Sequence, residues 1–162
     1  MIKIIDLNHL NSFINLRLEA LKLDPNNFLS TFEEEINYSN LDWQQKLQNS
    51  FWFGFFEENN LIAMINFEIA KKVKINHTAE IGGLFIKHSH RNLGIATKLI
   101  KFVEDFAKQK NILQIYLGCN FSNKIAINLY EKLGYKIIAI RPNYAKIDNE
   151  YFDDVIMLKI LI

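Results

Sequence analysis

Cysteine is nearly absent from this 162-residue sequence, and Cys119 is the only one. A lone cysteine excludes a disulfide within the chain, and such sequences are typical of reducing compartments. The first residues lack the charged segment and apolar core of a secretory signal. No apolar run approaches the roughly 20 residues needed to span a membrane. We therefore expect a cytoplasmic protein with no membrane partner.

Excess charge is also absent. The 19 Lys+Arg and 18 Asp+Glu residues leave a formal net charge of +1, so nothing indicates a nucleic-acid partner. Arginine occurs only at Arg17, Arg91 and Arg141. Hydrophobic residues make up 49% and charged residues 23%, a balance typical of a globular protein. Length and composition predict one domain over residues 1–162, with no linker or repeat.

Hydrophobic spacing predicts a chain that mixes strands and helices. The predicted strands are 2–6, 51–56, 61–70, 78–86, 112–117, 137–141 and 151–160, and the main helices are 7–23, 41–47, 94–110 and 122–133. The acidic triplet Glu33-Glu34-Glu35 is interpreted as the solvated start of another short helix. Gly82-Gly83 within a strand indicates a bulge or close backbone approach by a ligand.

The most informative stretch lies where the strand at 78–86 leads through a polar loop into the helix at 94–110. The first amides of a helix are unpaired and favour an anion. Small residues at Gly94 and Ala96 let a phosphate approach the backbone closely. A Walker loop is excluded because Gly-Lys-Ser/Thr is missing, and a dinucleotide fingerprint is excluded because only one of its three glycines is present.

A second run of interest lies on the helix predicted at 122–133, which Ser122 could cap and Gly134 could end. Asn123 and Tyr130 are seven residues apart, so they differ by only about 20° around the helix axis. They therefore share a face with Ala126. In isolation, this pattern fits a helix-start asparagine and a buried tyrosine equally well.

Together the two runs resemble the two signatures of the GCN5-related N-acetyltransferases (GNAT), in the expected order. Arg91-Asn92-Leu93-Gly94-Ile95-Ala96 is similar to Arg/Gln-x-x-Gly-x-Gly/Ala, and the second run is Asn123-x-x-Ala126-x-x-Leu129-Tyr130-x-Lys132-x-Gly134-Tyr135. The resemblance implies an α/β (α+β) fold: a mixed, mostly antiparallel sheet of about seven strands, flanked by helices and splayed between strands four and five. The closing stretch Tyr151-x-Asp153-x-x-x-Met157 also resembles the last strand of a branch related to spermidine and ribosomal-protein acetyltransferases.

The resemblance implies an enzyme that binds acetyl-CoA as co-substrate, without a metal. Its expected reaction is direct attack by a primary amine of a small molecule or peptide on the thioester. The resemblance assigns the pantetheine arm to the main chain of Leu84, Phe85 and Ile86 and to Asn123, the pyrophosphate to the amides of Arg91, Asn92, Leu93, Gly94, Ile95 and Ala96, and the thioester sulfur to Tyr130.

The reaction needs a base to deprotonate the amine and an acid to protonate the leaving thiolate. Tyr130 is the expected acid. Glu80, near the splay, is a candidate base that could act directly or through water, and it fits a solvent-facing strand carboxylate equally well. His77 is a weaker candidate because it lies at the outer end of its strand.

Two other reactive residue types are given structural interpretations. His88-x-His90 lacks a third metal ligand nearby. Cys119 lacks an identifiable activating base, so it is interpreted as a small strand-end residue.

Alternative functions are a CoA-binding regulatory module without turnover and an acetyltransferase acting on a protein. The resemblance directs the acceptor to residues 23–32 and 141–151. Exposed strand edges allow a homodimer. The sequence departs from the family at His88, where many relatives have proline, at Asn92-Leu93, and at Asn149-Glu150, which lacks the usual glycine.

Overall fold

The structure, a computed structural model, describes all 162 residues. Seven strands form one sheet in the order β1-β2-β3-β4-β5-β7-β6. The strands are β1 Ile2–Ile4, β2 Phe51–Glu57, β3 Asn60–Ile69, β4 Thr78–Ile86, β5 Gln114–Asn120, β6 Lys136–Ile147 and β7 Glu150–Ile160. The helices are α1 Leu10–Leu23, α2 Phe32–Glu35, α3 Asn40–Gln48, α4 Ile95–Gln109 and α5 Lys124–Lys132. No helix has both the length and the apolar character needed to cross a membrane.

The sheet opens between β4 and β5. These two strands run parallel and pair at only three positions, ending at Glu80 opposite Tyr116. Every other neighbouring pair is antiparallel. The rest of β4 therefore has an edge without a partner strand. The predicted mixed, splayed sheet is confirmed.

Helices cover the two faces of the sheet and define two cores. On one face, α4 and α5 pack over the larger cluster, which includes Leu99, Val103 and Ile127. On the other face, α1 and α3 pack over a smaller cluster that includes Phe13 and Trp43. The aromatic strand β2 contributes to both clusters, which explains why its sequence is apolar on both sides and confirms its predicted interior place in the sheet.

Several element ends differ from the sequence-based bounds. Strand β6 continues to Ile147, beyond the predicted end at Arg141, because it pairs with β7 across an irregularity between Arg141 and Ala145. Helix α5 is capped by Asn123, whose Oδ1 accepts from the Ala126 amide at 3.1 Å. The predicted cap, Ser122, instead donates its hydroxyl to Asn120 Oδ1 at 2.7 Å.

The hairpin between β6 and β7 turns without glycine. Asp148 and Asn149 both have positive φ, 48° and 66°, between the paired residues Ile147 and Glu150. A two-residue turn with two positive φ angles matches the twist of the flanking strands, and Asp and Asn tolerate this conformation better than most residues. The missing glycine therefore leaves the hairpin intact.

The interpretation of Glu35 as a solvated residue is wrong. Its side chain is fully buried, between α1 and α3. Arg17 Nε donates to Oε2 at 3.0 Å and Arg17 Nη2 to Oε1 at 2.8 Å, and Lys46 Nζ lies 3.1 Å from Oε1. The other two residues of the triplet, Glu33 and Glu34, are exposed as expected.

Candidate active site

A cavity of about 1250 Å³ lies where the sheet splays. It brings together the middle of β4, the end of β5, the start of α5, the segment between α1 and α2, and the β6–β7 hairpin. Of the predicted site residues, Glu80, Leu84, Asn123 and Tyr130 line it. The predicted acceptor stretches also meet here, through residues 25–32 and 144–148.

The unpaired edge of β4 forms one wall of the cleft. Gly82 pairs with Asn66 and Phe85 with Met64, so β4 has one residue more than β3 over this span. That bulge contains Gly83, whose φ of +58° is accessible to glycine at little cost. A Cβ at Gly83 would also lie 2.9 Å from the Trp52 ring. The bulge indicated by the glycine pair is confirmed, and it leaves main-chain groups of β4 facing the cleft.

The turn before α4 presents a row of free amides. Lys98 is the first residue there whose amide is paired within the helix, donating to Gly94 O at 3.1 Å. The amides of residues 92–97 have no partner in the chain. Asn92 and Gly94 have positive φ, 63° and 74°, which curls the backbone around this point. The amide of Arg91 differs from the rest because it donates to His88 O, at 3.4 Å.

The side chain of Arg91 is directed away from this row of amides. Its Nε donates to Ile86 O at 3.1 Å, and its Nη2 pairs with Asp24. His88 Nε2 lies 3.2 Å from the other oxygen of Asp24. Asp24 thus ties the end of α1 to the polar loop that precedes the turn.

The side chain of Asn123 forms two hydrogen bonds at the mouth of the cavity. Besides capping α5, its Nδ2 donates to Asn27 Oδ1 at 3.0 Å. Asn27 belongs to the segment between α1 and α2. Each polar atom of the Asn123 side chain therefore has one partner within the chain, which leaves one N–H of Nδ2 and one lone pair of Oδ1 for another group.

Tyr130 lies deeper in the same wall, seven residues along α5. Asn123, Ala126 and Tyr130 all line the cavity, as their shared helical face predicts. Tyr130 is 8% exposed, and its ring centroid lies 5.8 Å from that of Tyr135. Burial, with a smaller contribution from nearby Cys119, raises the pKa of the Tyr130 phenol well above its usual range. The phenol therefore carries its proton throughout the physiological pH range.

Glu80 is exposed on the cavity wall, at the last position where β4 pairs with β5. Partial burial within the walls raises the pKa of its carboxyl, Arg141 opposes this shift, and Glu68 and Asp154 add to it. Glu68 is directly opposite on β3. An elevated pKa moves a carboxylate toward the range useful for a general base. His77, the weaker candidate, does not line the cavity.

The remaining reactive residues have other partners. His88 faces Asp24, whereas His90 Nε2 lies 3.3 Å from Glu57. The two histidines therefore contact different carboxylates. Cys119 lines the cavity at the end of β5, and burial raises the pKa of its thiol to about 11, so the thiol stays protonated at neutral pH.

Two buried or half-buried ion pairs of the cavity were not predicted. In the first pair, Arg17 lines the cavity and its partner Glu35 does not. In the second pair, both Arg141 and Asp154 line the cavity, and Arg141 Nε donates to Asp154 at 3.0 Å. A signal for Arg17 existed in the sequence. It is spaced four residues from both Phe13 and Leu21, which places a charge on the apolar face of α1. Such a charge requires a buried partner.

The model of the acetyltransferase (GNAT) family matches residues 16–135. This span is well over half of the chain, and the protein therefore belongs to the GNAT family. Streptothricin acetyltransferase of Escherichia coli is 34% identical over 79 residues, which is 46% of this chain and 45% of that protein. The chain spans less than half the length of the curated relatives it matches.

Solved structures give the same fold over the entire chain. A probable acetyltransferase from Staphylococcus epidermidis has a TM-score of 0.82 at 23% identity, covering 100% of this chain and 99% of that one. The yncA protein of Salmonella typhimurium, solved with its cofactor acetyl-CoA, has a TM-score of 0.80 at 16% identity, covering 100% and 94%. At these identities the likeness establishes the fold alone.

Proposed function

We propose that the protein is an acetyl-CoA-dependent N-acetyltransferase that acetylates a primary amine of a small molecule or peptide by direct attack. The observation that carries this proposal is that one cavity is lined by the unpaired edge of β4, by Tyr130 and by Glu80. A thioester at that edge would have a proton donor on one side and a carboxylate on the other. Family membership supports the same reaction class.

The residues present suit an elongated anionic co-substrate. Free amides at residues 92–97 suit a pyrophosphate, since a helix N-terminus favours negative charge. The unpaired edge of β4 at Leu84, Phe85 and Ile86 suits the amide groups of pantetheine, which can hydrogen-bond as an added strand would. Acetyl-CoA supplies the activated acetyl group, and the yncA structure with acetyl-CoA supports this choice.

Tyr130 and Glu80 then carry the proton transfers. Glu80 accepts a proton from the amine, directly or through water, so that the amine attacks as the neutral base. Tyr130 donates its phenolic proton to the departing thiolate. Each positioned acid or base of this kind contributes about 10²–10⁴-fold to rate.

The first test concerns the row of amides. Gly94→Glu places a negative charge beside the expected pyrophosphate, so we expect the affinity for acetyl-CoA to fall about tenfold or more, measured by calorimetric titration. The matched control is Gly134→Glu, which changes another exposed glycine with positive φ (93°) at the far end of α5. Both variants carry backbone strain. If the two bind acetyl-CoA equally well, the turn before α4 does not hold the pyrophosphate.

The second test concerns Glu80. Glu80→Gln is expected to lower kcat by about 10²-fold or more while the protein stays folded. Its melting temperature should be unchanged or higher at pH 7, because a carboxyl whose pKa is raised by folding destabilises the fold when it ionises. Retained turnover in Glu80→Gln would leave the general base unassigned.

The matched control for Glu80 is Glu68→Gln. It removes a repelling charge directly across the strand pair, so the pKa of Glu80 should fall. The base is active when deprotonated. The acidic limb of the profile of kcat/KM against pH should therefore shift to lower pH, with turnover retained. If the acidic limb does not move in Glu68→Gln, that limb does not report the ionisation of Glu80.

Two alternatives share the same fold. A CoA-binding regulatory module would bind acetyl-CoA without releasing thiol when mixed with a panel of amines. A protein acetyltransferase would prefer peptide amines, as the names of N-alpha-acetyltransferase 50 of Danio rerio and of a ribosomal-protein-alanine N-acetyltransferase of Brucella melitensis indicate for those proteins. The name of streptothricin acetyltransferase favours a small molecule. A cytoplasmic location and a homodimer stay predictions.

A further inference from the structure

We infer that the acceptor is an amine that also carries a carboxylate, and that Arg17 binds this carboxylate. The inference rests on the proposed function and names the substrate class of the same site. It begins from a buried guanidinium whose hydrogen-bonding capacity is only partly used by the chain.

Arg17 is held rigidly in the wall of the cavity. It is only 5% exposed, and its Nε and Nη2 form a bidentate pair with Glu35. This pair leaves the two N–H groups of Nη1 without a hydrogen bond in the chain. Nη1 also lies 3.7 Å from the point where a Cβ on Gly83 would be. Nη1 is open to the cavity rather than sealed in the core, so a ligand carboxylate can reach it and form charge-assisted hydrogen bonds.

The surrounding charges leave this wall positive. Arg17 and Lys46 supply two cations to the single carboxylate of Glu35, and no other carboxylate pairs with them. Arg17 and Glu35 are buried, whereas the Lys46 side chain is 23% exposed. The cluster therefore contains one more cation than carboxylates, which suits a singly charged anion. Lys46 does not line the cavity, so only Arg17 presents this charge to a ligand.

The position of Arg17 relative to the cleft favours the acceptor over the phosphates. Arg17 faces the Gly83 bulge, and the carboxyl end of β4 is three residues further at about 3.3 Å per residue. The row of free amides begins beyond that end. The ring of Phe28 lies 5.0 Å from Arg17 Cζ and that of Trp52 lies 5.9 Å away. These rings provide an apolar wall around the guanidinium and strengthen its electrostatic attraction.

The other charged groups of the cavity leave Arg17 as the anion-binding position. Arg141 donates Nε and Nη2 to Asp154 and also keeps Nη1 free, but its side chain is 34% exposed against 6% for Arg17, so solvent screens its charge more strongly. Asp153 Oδ1 accepts from the Asn143 amide. The side chains of Lys22, Glu33, Lys146 and Asp148 are exposed at the mouth of the cavity, where solvent screens them. Glu80 provides a negative charge for the ammonium group. Glu80 is three residues before Gly83 on β4, so the proposed acceptor would direct its ammonium group toward Glu80 and its carboxylate toward Arg17.

The test compares each of the 20 common L-amino acids with its carboxamide as acceptor, by thiol release from acetyl-CoA with the wild-type protein. We expect the best acid to exceed its own carboxamide at least tenfold in kcat/KM, which is about 1.4 kcal/mol. At pH 7 the less basic amine of the carboxamide has the larger neutral, nucleophilic fraction, so amine basicity works against this preference. A ratio below tenfold for every pair overturns the inference.

The variant arm assigns the preference to Arg17. Arg17→Gln should remove it. This change lowers stability but leaves Lys46 facing Glu35, so thermal unfolding of the variant is measured beside its kinetics. Arg17→Lys, which loses the planar fork, is the second variant and should also lower the ratio. Lys22→Gln, on the same helix at the mouth of the cavity, is the matched control and should keep it. An unchanged ratio in folded Arg17→Gln or Arg17→Lys overturns the role of Arg17.

The thiol-release assay distinguishes failure of this inference from failure of the proposed function. Thiol release with carboxamides at rates equal to the acids overturns the inference and leaves the acetyltransferase intact. Absence of thiol release with every amine overturns both.

Discussion

Tyr130→Phe is expected to stay folded, to bind acetyl-CoA almost normally, and to lose turnover by about 10²–10⁴-fold. The substitution keeps the ring that packs in the core and removes only the hydroxyl. Burial keeps this phenol protonated, so the donor is loaded at every working pH. Because thiols are acidic enough for water to replace part of the donor's role, the lower end of the range is the expected value.

The measurement is steady-state kinetics beside an acetyl-CoA titration of the same preparation. Tyr135→Phe is the matched control: its hydroxyl is buried beside Glu104, and its ring lies 5.8 Å from that of Tyr130. Tyr135 does not line the cavity, so the control should keep its turnover. Turnover of Tyr130→Phe within about twofold of wild type would reduce Tyr130 to a packing residue.

Glu35→Gln is expected to give the largest loss of stability among single carboxylate-to-amide changes in this chain. It leaves Arg17 and Lys46 without a buried counter-ion, and breaking a buried pair from one side costs about 3–5 kcal/mol. For a chain of this size, each kcal/mol corresponds to about 2–4 °C in Tm. Thermal and denaturant unfolding should therefore both show a large decrease.

The same pair predicts a pH dependence. Burial tends to raise the pKa of Glu35, but Arg17 and Lys46 outweigh this and hold it below its usual value of 4.5. The stabilisation is thus fully present above pH 4.5 and is lost as pH falls through the lower pKa of the folded state. Glu33→Gln, at the second residue of α2, is the exposed control and should change stability by less than about 0.5 kcal/mol. If Glu35→Gln and Glu33→Gln are equally stable, the pairing of Glu35 with Arg17 does not contribute measurably to the free energy of unfolding.

Local patterns were sufficient to predict most of the fold. The predicted bounds of β4 match those observed, and the apolar stripe of α4 identified that helix to within a residue at each end. Both elements have strong periodicity and clear ends. The length of β6 was not predictable, because most of its side chains are exposed and only its pairing with β7 defines it. Strand ends set by a partner strand leave little trace in the sequence.

The site divides in the same way. The turn before α4 and the shared face of Asn123 and Tyr130 follow from helix geometry and were predictable. The burial of Glu35 was not, because it depends on Arg17, 18 residues earlier, and on Lys46 of another helix. In the sequence, an acidic triplet with one buried carboxylate looks the same as a fully solvated triplet, because the difference depends on how those helices pack. The second role of Asn123, its bond to Asn27, likewise spans 96 residues.

Because β4 and β5 pair over such a short length, the sheet divides into two units at this point. One unit contains β1 to β4 and the other contains β5, β7 and β6, and only three residue pairs join their ladders. Apart from the edge pair β1–β2, every other pair of neighbouring strands has at least six paired positions. Bending at this seam therefore disturbs fewer backbone hydrogen bonds than bending between any other two interior strands. The seam runs through the cleft, so the width available to an acyl group depends on the interior strand pair with the fewest backbone hydrogen bonds.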